Sequence, residues 1–348
     1  MAKKRKLSFY TGAALTTDSF ATLATFDGRG HPAEPTGDFS FDVFDRKTGA
    51  WRHVGDGKEH GEDIAAWHPG GQAQAAAINR RGTVLFDATP LGMEQPYPDA
   101  RSRGAAIGAI GKRLYAIGDG GHFFWRDANS GWNVLDPEFF KADAFSIGSA
   151  ALKKKLGGLP PDSSLIGIPI EETIRLSDLY SEYTATFYTI TGSGHDNLYL
   201  AGPEGRMLHF DGTRISKIES GVKNPLTSAR IGPDGTVYVC GARGGAVILA
   251  GDIRQGFAPV LRMPESRFYP YKMAFLDRDL YIADVSDKTG GLYKLTDGQL
   301  TKVTVPGAPD PAPFWQVDVA DGVLWALEAK AINRFDGTAW ERFESPFA

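Results

Sequence analysis

Cysteine occurs once in this 348-residue chain, at Cys240. A lone thiol excludes an intramolecular disulfide framework and any multi-cysteine metal site. Long apolar runs are missing as well, since no window approaches the ~18 consecutive apolar residues of a membrane span. The basic start MAKKRK is followed by Leu7-Ser8-Phe9-Tyr10, too short and polar for the apolar part of a signal peptide. The cluster Lys3, Lys4, Arg5, Lys6 reads as a solvated terminus. These absences point to a cytoplasmic chain with no membrane partner. Neither sign of charge dominates: 38 Lys and Arg against 42 Asp and Glu leave −4, which argues against a nucleic-acid partner. The chain also lacks a G-x-S-x-G elbow, a P-loop, a dinucleotide fingerprint and an HExxH pair.

What is abundant is glycine, 42 residues, with 21 prolines and 42% hydrophobic residues. That combination describes a packed core interrupted by many tight turns, and it excludes global disorder. One unit recurs: an apolar-aromatic strand, a Gly-rich turn, a second strand, a DG-type turn and a third strand. Its clearest copy is HDNLYLAGPEGRMLHFDGTRISKIESG, residues 195–221. Related copies run over 111–135, 234–251, 277–305 and 321–345. The aromatic anchors are Tyr115, Tyr199, Tyr238, Tyr281 and Trp325, and the last three steps are 39, 43 and 44 residues. A period of ~40–50 residues is that of a four-stranded propeller blade.

Inner strands are expected just before each anchor, over 105–110, 184–191, 226–231, 271–276 and 315–319. Upstream, 73–87 reads as the first two strands of another blade, while 19–26 and 39–53 form a divergent one. Five clear and two weaker copies give an all-β, single β-propeller domain of seven four-stranded blades spanning 1–348. The 84-residue step from Tyr115 to Tyr199 holds a partly helical insertion over 138–183, with a helix-like ALKKKLGG at 150–157. Leu7–Tyr10 is expected to latch the ring by joining the C-terminal blade.

Tyr199, Gly202, Gly205, Leu208 and Asp211-Gly212 fit the pattern Y-x-x-G-x-x-G-x-h-x-x-x-D-G, where h is apolar. The repeat resembles those of bacterial β-propeller proteins, among them immunity and accessory proteins encoded beside secreted toxins. The resemblance implies a non-catalytic, protein-binding propeller that occludes a toxin or effector.

Residue types support the same direction. Loops longer than ~12–15 residues tend to be functional, and rim loops of a rigid scaffold carry recognition. The partner-binding candidates are therefore Phe139, Phe140, Lys153, Lys154, Lys155, Tyr180 and Tyr183 in the insertion. An acidic rim would favour a basic partner. Other aromatic clusters, at 123–125, 268–271 and 314–315, alternate as blade core does. The stretch GKEHGEDIAAWH, with His60, His68, Glu59, Glu62 and Asp63, reads as a solvated loop between the first two blades. Cys240 lies mid-strand, where a buried thiol is inert. The expectation is a monomer without cofactor or metal. The alternative is a metal-dependent hydrolase, lactonase or lyase with its site over the central channel, for which Asp318 and Glu328 are the acidic candidates.

Overall fold

Alternation of apolar and polar residues over five to nine positions, bounded by glycine and aspartate turns, gives strands rather than helices. The computed structural model describes residues 6–26, 38–87, 92–97, 103–137, 139 and 186–347. Within them lie seven antiparallel sheets of four strands, each built from consecutive strands. The blades span 7–57, 61–94, 104–134, 189–218, 226–264, 270–303 and 314–344. Helical structure among the described residues is limited to three 3-10 turns of three residues each. The ALKKKLGG stretch lies outside the described residues.

Turn chemistry sets each blade's hairpins. In the fourth blade Gly205 has φ +72°, and a Cβ there would lie 1.9 Å from the carbonyl oxygen of Val222, so only glycine fits. Asp211 then accepts backbone N–H bonds from Thr213 (2.8 Å) and Arg214 (2.7 Å), which closes the next hairpin. Asp252 and Asp336 repeat that bond in the fifth and seventh blades.

The apolar side chains divide into seven clusters, each filling the space between two neighbouring blades. No blade could bury its faces alone, so the ring is the smallest unit that removes this surface from water. Inner strands lie against inner strands all the way round, including the seventh against the first. The anchors Tyr115, Tyr199, Tyr281 and Trp325 are buried, and Tyr238 is half-buried.

Three expectations need correction. Leu7–Ala14 is the inner strand of its own blade, paired with Ser19–Phe26, and does not join the last blade. Closure comes instead from bonds across the seam: the N–H groups of Leu7 and Phe9 reach the carbonyls of Phe347 (3.0 Å) and Ala329 (2.9 Å). Residues 73–87 hold the second and third strands of the second blade, Gln74–Asn79 and Val84–Phe86. Its first strand is Gly61–Trp67, inside the stretch read as a solvated loop.

Candidate functional site

A four-stranded meander sends its turns to two faces of the ring. The connections between blades share one face with the turns joining second and third strands. Glu62, Tyr188, Arg243, Tyr269, Tyr271 and Lys272 meet there, around a cavity of about 560 Å³ at the channel mouth. They come from inner strands and the segments leading into them, except Arg243, which follows the strand Val237–Ala242. Tyr188 and Tyr269 stand 37% and 36% exposed, two of the few large hydrophobic side chains open to solvent among the described residues. Arg243 is exposed beside them.

Beneath the mouth an ion pair lines both channel cavities. Lys272 Nζ lies 3.2 Å from Asp63 Oδ1, both side chains 11% exposed. Asp63 and Lys272 also line a second cavity of about 410 Å³ towards the opposite face, shared with Arg230, Gln316 and Asp318. Several inner-strand side chains stitch blade to blade. Asp63 Oδ2 accepts the N–H of Ile107 at 3.2 Å, and Asp318 Oδ2 that of Ala14 at 3.0 Å. Ser228 and Thr189 hydroxyls do the same for Met273 and Ala229. Polar residues on inner strands thus satisfy backbone groups of the next blade, and Asp63, Thr189 and Asp318 also line the channel cavity.

Burial shapes the electrostatics of this rim. Desolvation pushes the Glu62 carboxyl up to about 7, against the pull of Arg80, whose guanidinium is 3.9 Å away. His60, stacked on Tyr10 with ring centroids 4.9 Å apart, is pushed down to about 4 by burial and then by Arg80. Burial also raises Tyr271, Asp119 and Asp318. Asp119 accepts a hydrogen bond from the Thr186 hydroxyl, which ties the entry to the fourth blade onto the third.

Sequence-predicted site residues fall unevenly. Phe139 is half-buried, stacks on Phe123 at 5.8 Å and donates its N–H to Asp136 at 3.1 Å. It thereby packs on the third blade. Phe140, Lys153, Lys154, Lys155, Tyr180 and Tyr183 lie outside the described residues. The last strand of the third blade ends at Val134 and the first of the fourth begins at Thr189. Asp318 faces the channel as its position suggested. Glu328 does not join it, being held by Asn333 and Arg342 within the seventh blade. Among the described residues no three His, Cys, Asp or Glu side chains are arranged to hold a metal ion. Tyr269 and Tyr271 sat in an aromatic run read as core. Phe268 is core, but its neighbours alternate outward to the mouth.

The geometry defines a seven-bladed β-propeller with an aromatic, cationic mouth on one face. No family model matches the chain. It is 31% identical over 164 residues to the immune protein Tsi7 of Pseudomonas aeruginosa, a match covering 47% of this chain and 51% of that protein. The chain thus spans about half the length of the curated relative it matches. Among solved structures it resembles the WD40 propeller domain of Doa1, with TM-score 0.58, 10% identity and 94% and 91% of the two chains covered. Saccharomyces cerevisiae Sqt1 gives 0.56, 10%, 98% and 86%. The propeller domain of the Pyrococcus furiosus trilobed protease, reported to have an open velcro topology, gives 0.54, 10%, 99% and 97%. At such identities these likenesses speak for the fold alone. No helix among the described residues is long and apolar enough to cross a membrane.

Proposed function

We propose that the chain is a non-catalytic protein-binding propeller of the immunity type, which seats a toxin or effector on the face of the tyrosine mouth and occludes its active surface. The observation that carries this reading is the grouping of two half-exposed tyrosines and an exposed arginine over a concave mouth. Tyrosine and arginine dominate interface hot spots because they combine large contact area with hydrogen bonding. The similarity to an immune protein points the same way. We assign a further share of the contact to residues 138–183, on their aromatic and lysine content.

The test uses the full chain as bait in lysate of its source organism, followed by co-expression with whatever is retained. The expected result is one stoichiometric partner that arrests growth alone and is neutralised by this chain. Tyr188→Ala with Tyr269→Ala should weaken that complex at least ~30-fold, the size of a hot-spot loss. Replacing 141–183 by a Gly-Ser linker should weaken it further. A partner insensitive to both changes, or harmless when expressed, would overturn the reading.

A further inference from the structure

The unspent charge at the mouth is positive, contrary to an acidic rim. Arg243 is exposed, and among the described residues its guanidinium forms no ion pair or side-chain hydrogen bond. The neighbouring carboxylates are committed elsewhere. Asp63 pairs with Lys272, Glu204 lies 3.3 Å from Arg206, and Asp119 holds the Thr186 hydroxyl. Glu62 is half-buried 3.9 Å from Arg80, and desolvation pushes its carboxyl up to about 7. A lysine or arginine entering here would meet Arg243 as a like charge. A carboxylate would meet a planar guanidinium suited to two parallel N–H···O bonds.

The walls add a second requirement. Tyr188, Tyr269 and Tyr271 line the cavity together with Pro225 and Ala242. Aromatic rings pack on such walls in offset or edge-to-face arrangements. The cavity's 560 Å³ lies within the range of sites that enclose a small ligand or an inserted side-chain pair.

Resting on the protein-binding reading, we infer that the partner's anchor is an acidic residue beside an aromatic one: Arg243 binds the carboxylate and the tyrosine-lined cavity takes the ring. This anchor is a short acidic-aromatic segment, and it fixes which end of the partner faces the channel.

A phage-displayed library of random dodecapeptides panned on the immobilised full chain tests the chemistry without knowledge of the partner. Enriched sequences should carry Asp or Glu within two positions of Phe, Tyr or Trp. A synthetic copy should lose at least tenfold in affinity with Arg243→Glu and with Tyr269→Ala. It should be unaffected by Arg113→Glu, at the turn between the first and second strands of the third blade on the opposite face. Thermal melts of each variant confirm that the ring stays folded, since Arg243 sits in an exposed turn. Basic or purely aliphatic sequences, no enrichment, or indifference to Arg243→Glu would overturn the inference. A captured protein partner that ignores Arg243→Glu but needs the tyrosines would sink this anchor alone and leave the protein-binding reading standing.

Discussion

Trp325 holds the seam between the last blade and the first, and removing it tests how a ring without strand exchange stays closed. Its side chain is 0% exposed, stacks on Phe20 of the first blade at 5.5 Å, and donates Nε1–H to the Thr16 carbonyl at 3.2 Å. Arg334 lies over the same ring at 5.9 Å and donates to Thr17 O at 2.9 Å. Truncating a buried Trp to Ala costs ~3–5 kcal/mol, and the lost hydrogen bond adds ~1. Trp325→Ala should therefore lose about 4–6 kcal/mol, which for a chain of this length lowers Tm by about 5–8 °C. Trp325→Phe keeps the stack, loses the bond and some volume, and should cost about 1–2 kcal/mol. Urea unfolding followed by circular dichroism, with calorimetric Tm on both variants, supplies the values. A loss under about 2 kcal/mol for Trp325→Ala, or equal losses for the two variants, would show that the seam is closed by something other than this contact.

Glu62 and His60 set opposing pH slopes. The folded carboxyl at about 7 lies above its ordinary 4.5, so its contribution is present at low pH and lost as pH rises towards 7. The imidazole at about 4 lies below its ordinary 6.5, so its contribution is present above 6.5 and lost as pH falls towards 4. Glu62→Gln should thus leave stability rising with pH between 4 and 6.5 by about 1–3 kcal/mol, and His60→Asn should leave it falling; two flat profiles from urea midpoints would refute the assignment. Cys240, fully buried with its thiol pushed up to about 12, should resist Ellman's reagent in the native state and react only at the rate of unfolding. Gly205→Ala, at φ +72° against the Val222 carbonyl, should cost about 2–3 kcal/mol, whereas Gly111→Ala, at φ +59° in open space, should cost about 1. Chemical denaturation of the pair separates backbone clash from conformational strain alone.

Blade architecture was legible where local signals repeat. The anchors at Tyr199, Tyr238, Tyr281 and Trp325 each sit on a second strand, and the strands ahead of them were placed within a few residues. The first two blades were harder to read because their inner strands carry polar residues that make no sense locally. Gly61–Trp67 contains Glu62 and Asp63, and a strand with two adjacent acids looks like a loop. Asp63 is satisfied by Lys272, 209 residues away, and by the backbone of Ile107. No window of sequence holds that information. Leu7–Tyr10, read as a latch on the last blade, pairs locally with the strand Ser19–Phe26, and only the N–H bonds of Leu7 and Phe9 to Phe347 and Ala329 reach the far end of the chain.

The mouth was less visible than the ring for a related reason. A propeller channel draws one or two residues from each inner strand, so its lining is scattered at the blade period instead of clustered in a motif. Tyr188 precedes the fourth blade, Arg243 follows the second strand of the fifth, and Tyr269 precedes the sixth. The signal that was available is the alternation in Phe268-Tyr269-Pro270-Tyr271. Phe268 is 3% exposed and faces the blade core, so Tyr269 must face the other way. That parity puts Tyr269 and Tyr271 on one side and Phe268 on the other. It cannot place the adjacent pairs Glu62 and Asp63 or Tyr271 and Lys272, which reach the mouth together because the inner strands are irregular between Gly61 and Asp63 and between Pro270 and Lys272.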